Sequence, residues 1–290
     1  MKRRWLNPLA DLVFKRIFGQ EKEILIELIN GIIQPIDPVI DIEYLSLELL
    51  PEGKEGKNSI VDVRCLDLKK RNFILEIQLL QQISFQERVL YYASKTYGKQ
   101  LLKGGKYEEL QPVYLLSIMD YTFDHLNNDW LHRYSLINEI DINKKLNGIH
   151  LIFLELDKYR KMAKFTLDTV QDRWIAFLTQ PEKILAMSKE TLHDYPNLIK
   201  AVELLNESNY TPGQILAYEK YLDSVISWNS TMIESFDNGY DQGLTEGIEK
   251  GAEKTIAIMQ ELRNGNLTIA DIAVKFNIKE ELVLQLRDLL

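Results

Sequence analysis

The chain has 290 residues, of which 46% are hydrophobic, 10% aromatic and 27% charged, a mixture that supplies a sizeable core and excludes wholesale disorder. Its formal charge is −8, which argues against unspecific coating of nucleic acid. The charge is uneven: residues 1–124 hold 17 Lys/Arg against 18 Asp/Glu, and the remainder holds 18 against 25, so a nucleic-acid site in the first part is compatible with it.

One cysteine, Cys65, leaves no partner for an intrachain disulfide or a thiolate cluster and favours a reducing compartment. Asp11, Lys15 and Arg16 interrupt the apolar stretch a secretory signal needs, and no uncharged run approaches the ~20 residues of a membrane span. The expectation is a cytoplasmic protein with no membrane partner.

In chain order, apolar residues recur at helical spacing from Pro8 to Ile33, with a break at Gly19 and an end near Asn30-Gly31. Ile40 to Leu49 favours a strand, and 51–58 is a polar, glycine-bearing loop. Strands are expected over Ser59 to Leu68 and Asn72 to Leu80, then a helix from Ser84 to Leu102 closed by Gly104-Gly105. "PVYLLSIM", Pro112 to Met119, is almost wholly apolar, as in a strand covered on both faces. Trp130 to Ile137 and His150 to Leu156 extend the same sheet, and beyond Lys161 the pattern is helical, punctuated by Pro181, Pro196 and Pro212.

In the tail, "GYDQGLTEGIEKGAEK" places Gly239, Gly243, Gly247 and Gly251 four apart, on one stripe of a helix, at a cost of roughly 3 to 4 kcal/mol relative to alanine. A solvated spacer helix and a surface for close approach of a partner helix both fit. Two short helices around Asn277 resemble a helix-turn-helix; DNA binding and a dimerising or capping hairpin are the alternatives. The expected division is 1–180, 181–254 and 255–290.

Chemistry concentrates in the hairpin. Glu76 and Gln78, two apart, share one face of their strand. Asp62 joins them if it lies opposite Glu76 or Gln78; the pairing with Gln78, or a bulge that restores it, is expected, which makes Leu68 face Asn72 and leaves Lys69-Lys70-Arg71 as the loop, whereas a shift by one residue would send the acids to opposite faces. Two carboxylates so placed repel unless a cation compensates, and oxygen ligands without supporting His or Cys select Mg²⁺ or Mn²⁺ rather than zinc. The competing reading puts Asp62 in solvent and pairs Glu76 with Arg64 or Lys69.

"NPLADLVFKRIFG", "SIVDVRCLDL", "FILEIQ", "RVLYYASKTYGKQL" and "PVYLLSI" follow in order, and over most of residues 5–180 the chain resembles the PD-(D/E)XK nuclease family transposases, also called Rpn recombination-promoting nucleases. The resemblance implies an α/β fold with a restriction-endonuclease-like αβββαβ core, a mixed central sheet and a following α-helical C-terminal region. It implies metal-dependent DNA endonuclease activity with links to recombination or mobile elements. Asp62 matches the strand aspartate, Glu76 and Gln78 an E-x-Q form of the signature, and Asp11 and Lys15 its "D-x-x-F-K" helix. Val61 stands where the signature has proline. Gln78 replaces the superfamily lysine and brings no charge, and Lys15 is a candidate to supply one.

Arg88, Lys95, Lys99, Lys103 and Lys106, interleaved with tyrosines, suggest a basic strip for DNA phosphates; a solvated helix face explains the same pattern. Zinc sites, serine triads and a phosphate-binding loop lack their motifs. A catalytically weakened DNA-binding or protein-interaction module is the alternative to an active enzyme. The C-terminal helices offer a surface for a homodimer.

Overall fold

The computed structural model describes residues 4–49, 59–82, 84–101, 104–162 and 165–290. The loop expected at 51–58 and two further sequence-predicted positions, Leu102 and Lys103, lie outside them. The chain divides into two compact units, Met1–Val225 and Ile226–Leu290. The first therefore includes residues 181–225, which the sequence reading placed in a separate helical region.

In the first unit the N-terminal helical pattern resolves into α1 (Asp11–Phe18), α2 (Lys22–Leu28) and one π-helical turn (Ile29–Ile33). Val13, Phe14, Ile17 and Phe18 give α1 a single buried stripe. Gly19 caps it, its N–H donating to the Lys15 carbonyl oxygen so closely that a Cβ there would lie 2.5 Å from that oxygen. Gly31 admits the next layer: a Cβ there would meet Val170 Cγ1 at 2.6 Å.

The central sheet has six strands in the order β1-β4-β5-β6-β8-β7, formed by β1 (Ile42–Tyr44), β4 (Val63–Asp67), β5 (Asn72–Gln78), β6 (Val113–Met119), β7 (Leu131–Ile137) and β8 (Lys145–Glu155). A separate antiparallel ribbon joins β2 (Glu48–Leu49) to β3 (Ser59–Ile60). β4 and β5 are antiparallel, β5, β6 and β8 are parallel, and β7 returns antiparallel to β8, so the sheet is mixed. Every residue of β6 is buried, the fate its continuous apolar run predicts for a central strand.

One face of the sheet carries α3 (Phe85–Gly98), through a core that includes Ile74, Val89, Leu115 and Phe153. The other carries α1, α2, α5 (Val170–Thr179) and α8 (Pro196–Leu204), around Phe14, Phe18, Phe73, Trp174 and Phe177. Shorter helices α4 (Leu156–Lys161), α6 (Pro181–Leu185) and α7 (Lys189–Leu192) connect them, and Pro181 and Pro196 open α6 and α8 at positions that need no N–H donor.

Two details differ from the sequence expectations. The strand expected over Ser59 to Leu68 breaks at Asp62, where the chain bends between β3 and β4. The hairpin register is Val63↔Leu75, Arg64↔Ile74, Cys65↔Phe73 and Leu66↔Asn72, two residues from the pairing expected. The turn is the reason. Asp67 Oδ1 accepts from the N–H groups of Lys69 (3.0 Å) and Arg71 (2.8 Å), Arg71 Nε donates to Asp67 Oδ2 (2.7 Å), and Lys70 takes a left-handed φ of 63°. This buried pair closes the turn earlier than the three basic residues suggested. An even shift preserves which side chains share a face.

Helix α9 (Pro212–Asn264) runs from the first unit into the second, where it is followed by α10 (Ile269–Phe276) and α11 (Glu280–Arg287). The second unit has its own small core of Ile258, Ile272, Ala273 and Val283. Thr268 and Asp271 form a capping box at the start of α10, and Asn277, at φ 48°, ends it in the left-handed conformation. All four repeat glycines lie in α9, exposed, with nothing within 4 Å of where a Cβ would be.

Candidate active site

The acids of the hairpin converge at the carboxyl end of the parallel strands. Continuing the β4–β5 register one step brings Asp62 opposite Glu76, on the face covered by α3. Asp62 Oδ2 accepts the Ile77 N–H at 2.8 Å, so this edge of β5 is fastened to the bend. An extended residue presents its N–H and C=O to the same edge, which directs the Ile77 carbonyl there too.

Glu76 is 6% exposed, and its Oε1 has no hydrogen-bond partner. Burial first, and then the charge of Asp62, push its carboxyl up to about 8, against the opposing pull of Arg88. Asp62 is also raised, chiefly by burial and further by Asp11, although the Ile77 N–H and Lys15 oppose the shift. The competing pairings do not occur: Arg64 reaches Asn72 and Lys69 binds Asp37. Ser117, level with Glu76 on β6, is also fully buried with an unpartnered hydroxyl. It is the one polar residue in the apolar run of β6, the only signal by which the sequence could have disclosed it.

From α1, Lys15 Nζ bonds Asp11 Oδ1 at 2.6 Å and reaches Asp62 Oδ1 at 3.4 Å. Burial pulls the Lys15 ammonium down, but the hydrogen bond to Asp11 and the charge of Asp62 outweigh it, and the net shift is upward. Lys15 therefore stays charged beside Asp62. The cation next to Gln78 is a different one: Arg88 Nη2 donates to Gln78 Oε1 at 2.7 Å, while Gln78 Nε2 donates to the Leu80 carbonyl at 2.7 Å. Gln78 thus holds an arginine where the superfamily signature has a lysine. Tyr221 of α9 also belongs to this neighbourhood: burial raises its phenol, and Asp11 and Asp62 add to the rise. Lying 159 positions beyond Asp62, it gave no local sequence signal.

The basic strip is not one helical face. Helix α3 ends at Gly98, which leaves Lys99 and Lys106 beyond it. Lys95 is buried, with Nζ donating to the Leu49 carbonyl at 2.8 Å. Lys99 lines a separate cavity, and Lys103 is outside the described residues. Among the described side chains expected on DNA, Arg88 alone stands at the acids.

Among the described residues no group of three or more His, Cys, Asp and Glu is placed to hold a metal ion. The donors at this site are two carboxylates, Asp62 and Glu76, with the Ile77 carbonyl as a third oxygen. They fit a hard divalent cation: one carboxylate oxygen is buried and, among the described residues, unpartnered, and a second negative charge stands beside it. No helix among the described residues is long and apolar enough to cross a membrane.

Searches of curated proteins and of solved structures return no match. A family model does match, over residues 8–234, a span that contains the whole sheet, both carboxylates, Lys15 and Arg88. PD-(D/E)XK nucleases generally use divalent metal ions and act on DNA. With the mixed sheet and paired strand acids in place, the chain belongs to the PD-(D/E)XK nuclease family transposases.

Proposed function

We propose that this chain is a Mg²⁺- or Mn²⁺-dependent DNA endonuclease that hydrolyses phosphodiester bonds, with a role in recombination or mobile elements. The observation that carries the reading is Glu76 Oε1, buried and unpartnered beside a second carboxylate. A buried carboxylate left without a partner on one oxygen, beside a second acid, suits a site that a cation completes. Asp62, Glu76 and the Ile77 carbonyl would hold it. When bound, such an ion polarises a phosphoryl oxygen and makes a coordinated water a stronger nucleophile.

The remaining roles fall to the chain's own side chains. Lys15 holds Asp62 in its ionised form and is itself anchored by Asp11. Arg88, held by Gln78, places a fixed guanidinium beside Glu76, where it can meet a phosphate oxygen in two-point fashion. An amide cannot do this directly, so Gln78 acts through the arginine it positions.

Plasmid nicking in Mg²⁺ tests the reading, with Asp62→Ala and Glu76→Ala beside the native protein. Loss of at least about 100-fold in both variants is expected, since each removes a group needed for transition-state charge stabilisation. Equal activity in all three would place the chemistry elsewhere. No activity in any of them, with DNA binding retained, would favour a DNA-binding module without catalysis.

The homodimer belongs to the same proposal. On α9, Ile226, Ile233, Phe236, Tyr240, Leu244 and Ile248 are exposed and recur at helical spacing, as on a helix that another helix covers.

A further inference from the structure

Two residues along from Asp62, Arg64 presents a problem that the nuclease chemistry does not solve. It lies on β4 facing α3, half-buried, and no carboxylate among the described residues pairs with it. Among the described residues its Nε has no partner, and the bond from its Nη2 to Asn72 Oδ1 is long at 3.5 Å. An arginine kept from water without an acid is destabilising unless something else meets its charge.

What Arg64 faces is a cavity of about 330 Å³ whose wall also includes Lys70, Asn72, Thr96 and Lys99, with Glu109 as its one acid. Thr96 is 1% exposed and its hydroxyl, too, is unpartnered. Lys70 comes from the turn, where its left-handed backbone is fixed by the Asp67 bonds. The lining thus combines three cationic side chains with two orphaned donors, and its net charge is positive. Arg64 is a near neighbour of Asp62, but its cavity opens toward the turn: neither carboxylate lines it, and Asn72 stands four residues from Glu76 on β5, roughly 13 Å along an extended strand.

We propose that the Arg64 cavity is a second site on this chain, and that it binds a phosphate group. A guanidinium offers parallel N–H donors matched to two phosphate oxygens, and the Thr96 hydroxyl can donate to a third. A carboxylate ligand would use fewer of these donors, and a cationic one is repelled. The phosphate comes either from a nucleic-acid strand or from a free nucleotide. The site stands on its own residues and does not depend on the nuclease reading.

Titration calorimetry on the full chain in EDTA tests it, with inorganic phosphate, adenosine 5′-monophosphate and a 5′-phosphorylated oligonucleotide as probes. The native protein is expected to bind them. Arg64→Leu should weaken binding by about tenfold or more, as expected for loss of a charge-assisted bond, with Arg64→Lys between the two. Arg64→Leu should melt at the native temperature or above, because the buried charge is removed. Tighter binding of the oligonucleotide than of the monophosphate, lost in Arg64→Leu, identifies a strand as the source; equal binding identifies a free nucleotide. Absence of binding to all three probes by the native protein overturns the proposal, as does equal affinity in native and Arg64→Leu. Should Arg64→Leu fail to fold, unchanged affinity in Arg64→Lys overturns it. Plasmid nicking is scored separately, so failure here leaves the cleavage reading intact.

Discussion

Glu76 and Glu155 stand near the carboxyl ends of β5 and β8, the two parallel strands that flank β6, and both are buried; their surroundings are opposite. Glu155, 0% exposed, is answered on every side. Its Oε2 accepts the Phe123 N–H at 2.7 Å, and its Oε1 meets His132 Nε2 at 2.7 Å and Lys158 Nζ at 2.8 Å. Lys158 also donates to the Asp129 carbonyl at 2.9 Å, so this carboxylate ties together the loop after β6, the strand β7 and the helix α4. Glu76 has a free oxygen, a like charge at Asp62 and a pKa near 8. The same residue type, two residues apart in register on one sheet, serves as a structural knot in one place and as an incomplete site in the other. The difference lies in whether the chain supplies the counter-charges itself.

That contrast can be broken by substitution. Glu155→Ala should be the most damaging to the fold, by about 3 to 5 kcal/mol, because it leaves Lys158 buried without its acid. A denaturant midpoint close to native would show that the knot contributes little.

Glu76→Gln should go the other way. Between the ordinary glutamate value of 4.5 and the folded value of about 8, the unfolded chain has released its proton while the folded chain retains it. Glu76 therefore lowers the stability of the metal-free protein progressively as pH rises from about 4.5 to about 8, and has no such effect below that window. In EDTA at pH 8, Glu76→Gln should be more stable than native by about 1 to 3 kcal/mol, and the gain should vanish near pH 4.5. A gain independent of pH would contradict the titration of this carboxyl. Mg²⁺ should reverse the order: at 100 times its Kd it should stabilise the native protein by about 2.7 kcal/mol and leave Glu76→Gln almost unmoved.

The smallest effects belong to the second unit. With nothing near their absent Cβ atoms, Gly243→Ala and Gly247→Ala should each stabilise an uncovered α9 by about 1 kcal/mol. If a second copy packs on this helix, the same changes should instead weaken self-association in sedimentation equilibrium, and the sign distinguishes the two cases.

Much of both units was legible because its signals are local. The apolar run of β6, the helical period of α1 and α2, the proline starts of α6 and α8 and the helix pair around Asn277 all follow from neighbours within a few residues. Parity along β5 placed Glu76 and Gln78 on one face without further help. The hairpin register was harder, since it depends on the Asp67–Arg71 pair, which competes with the three-residue basic loop the sequence suggests. The extent of α3 was also misread: charged residues continue at helical spacing past Gly98, and spacing alone does not reveal where a helix stops.

By itself, then, the sequence determined which residues are apolar, in what period, and which acids must share a strand face, because these depend on backbone geometry that every chain obeys. Only the tertiary structure decided which charges are answered. Glu155 finds Lys158 and His132, Gln78 finds Arg88, Asp62 finds Lys15, and among the described residues Glu76 and Arg64 find no opposite charge in contact. Compensation of a buried charge depends on groups brought together from distant parts of the chain, and the low dielectric of the interior makes those meetings decisive.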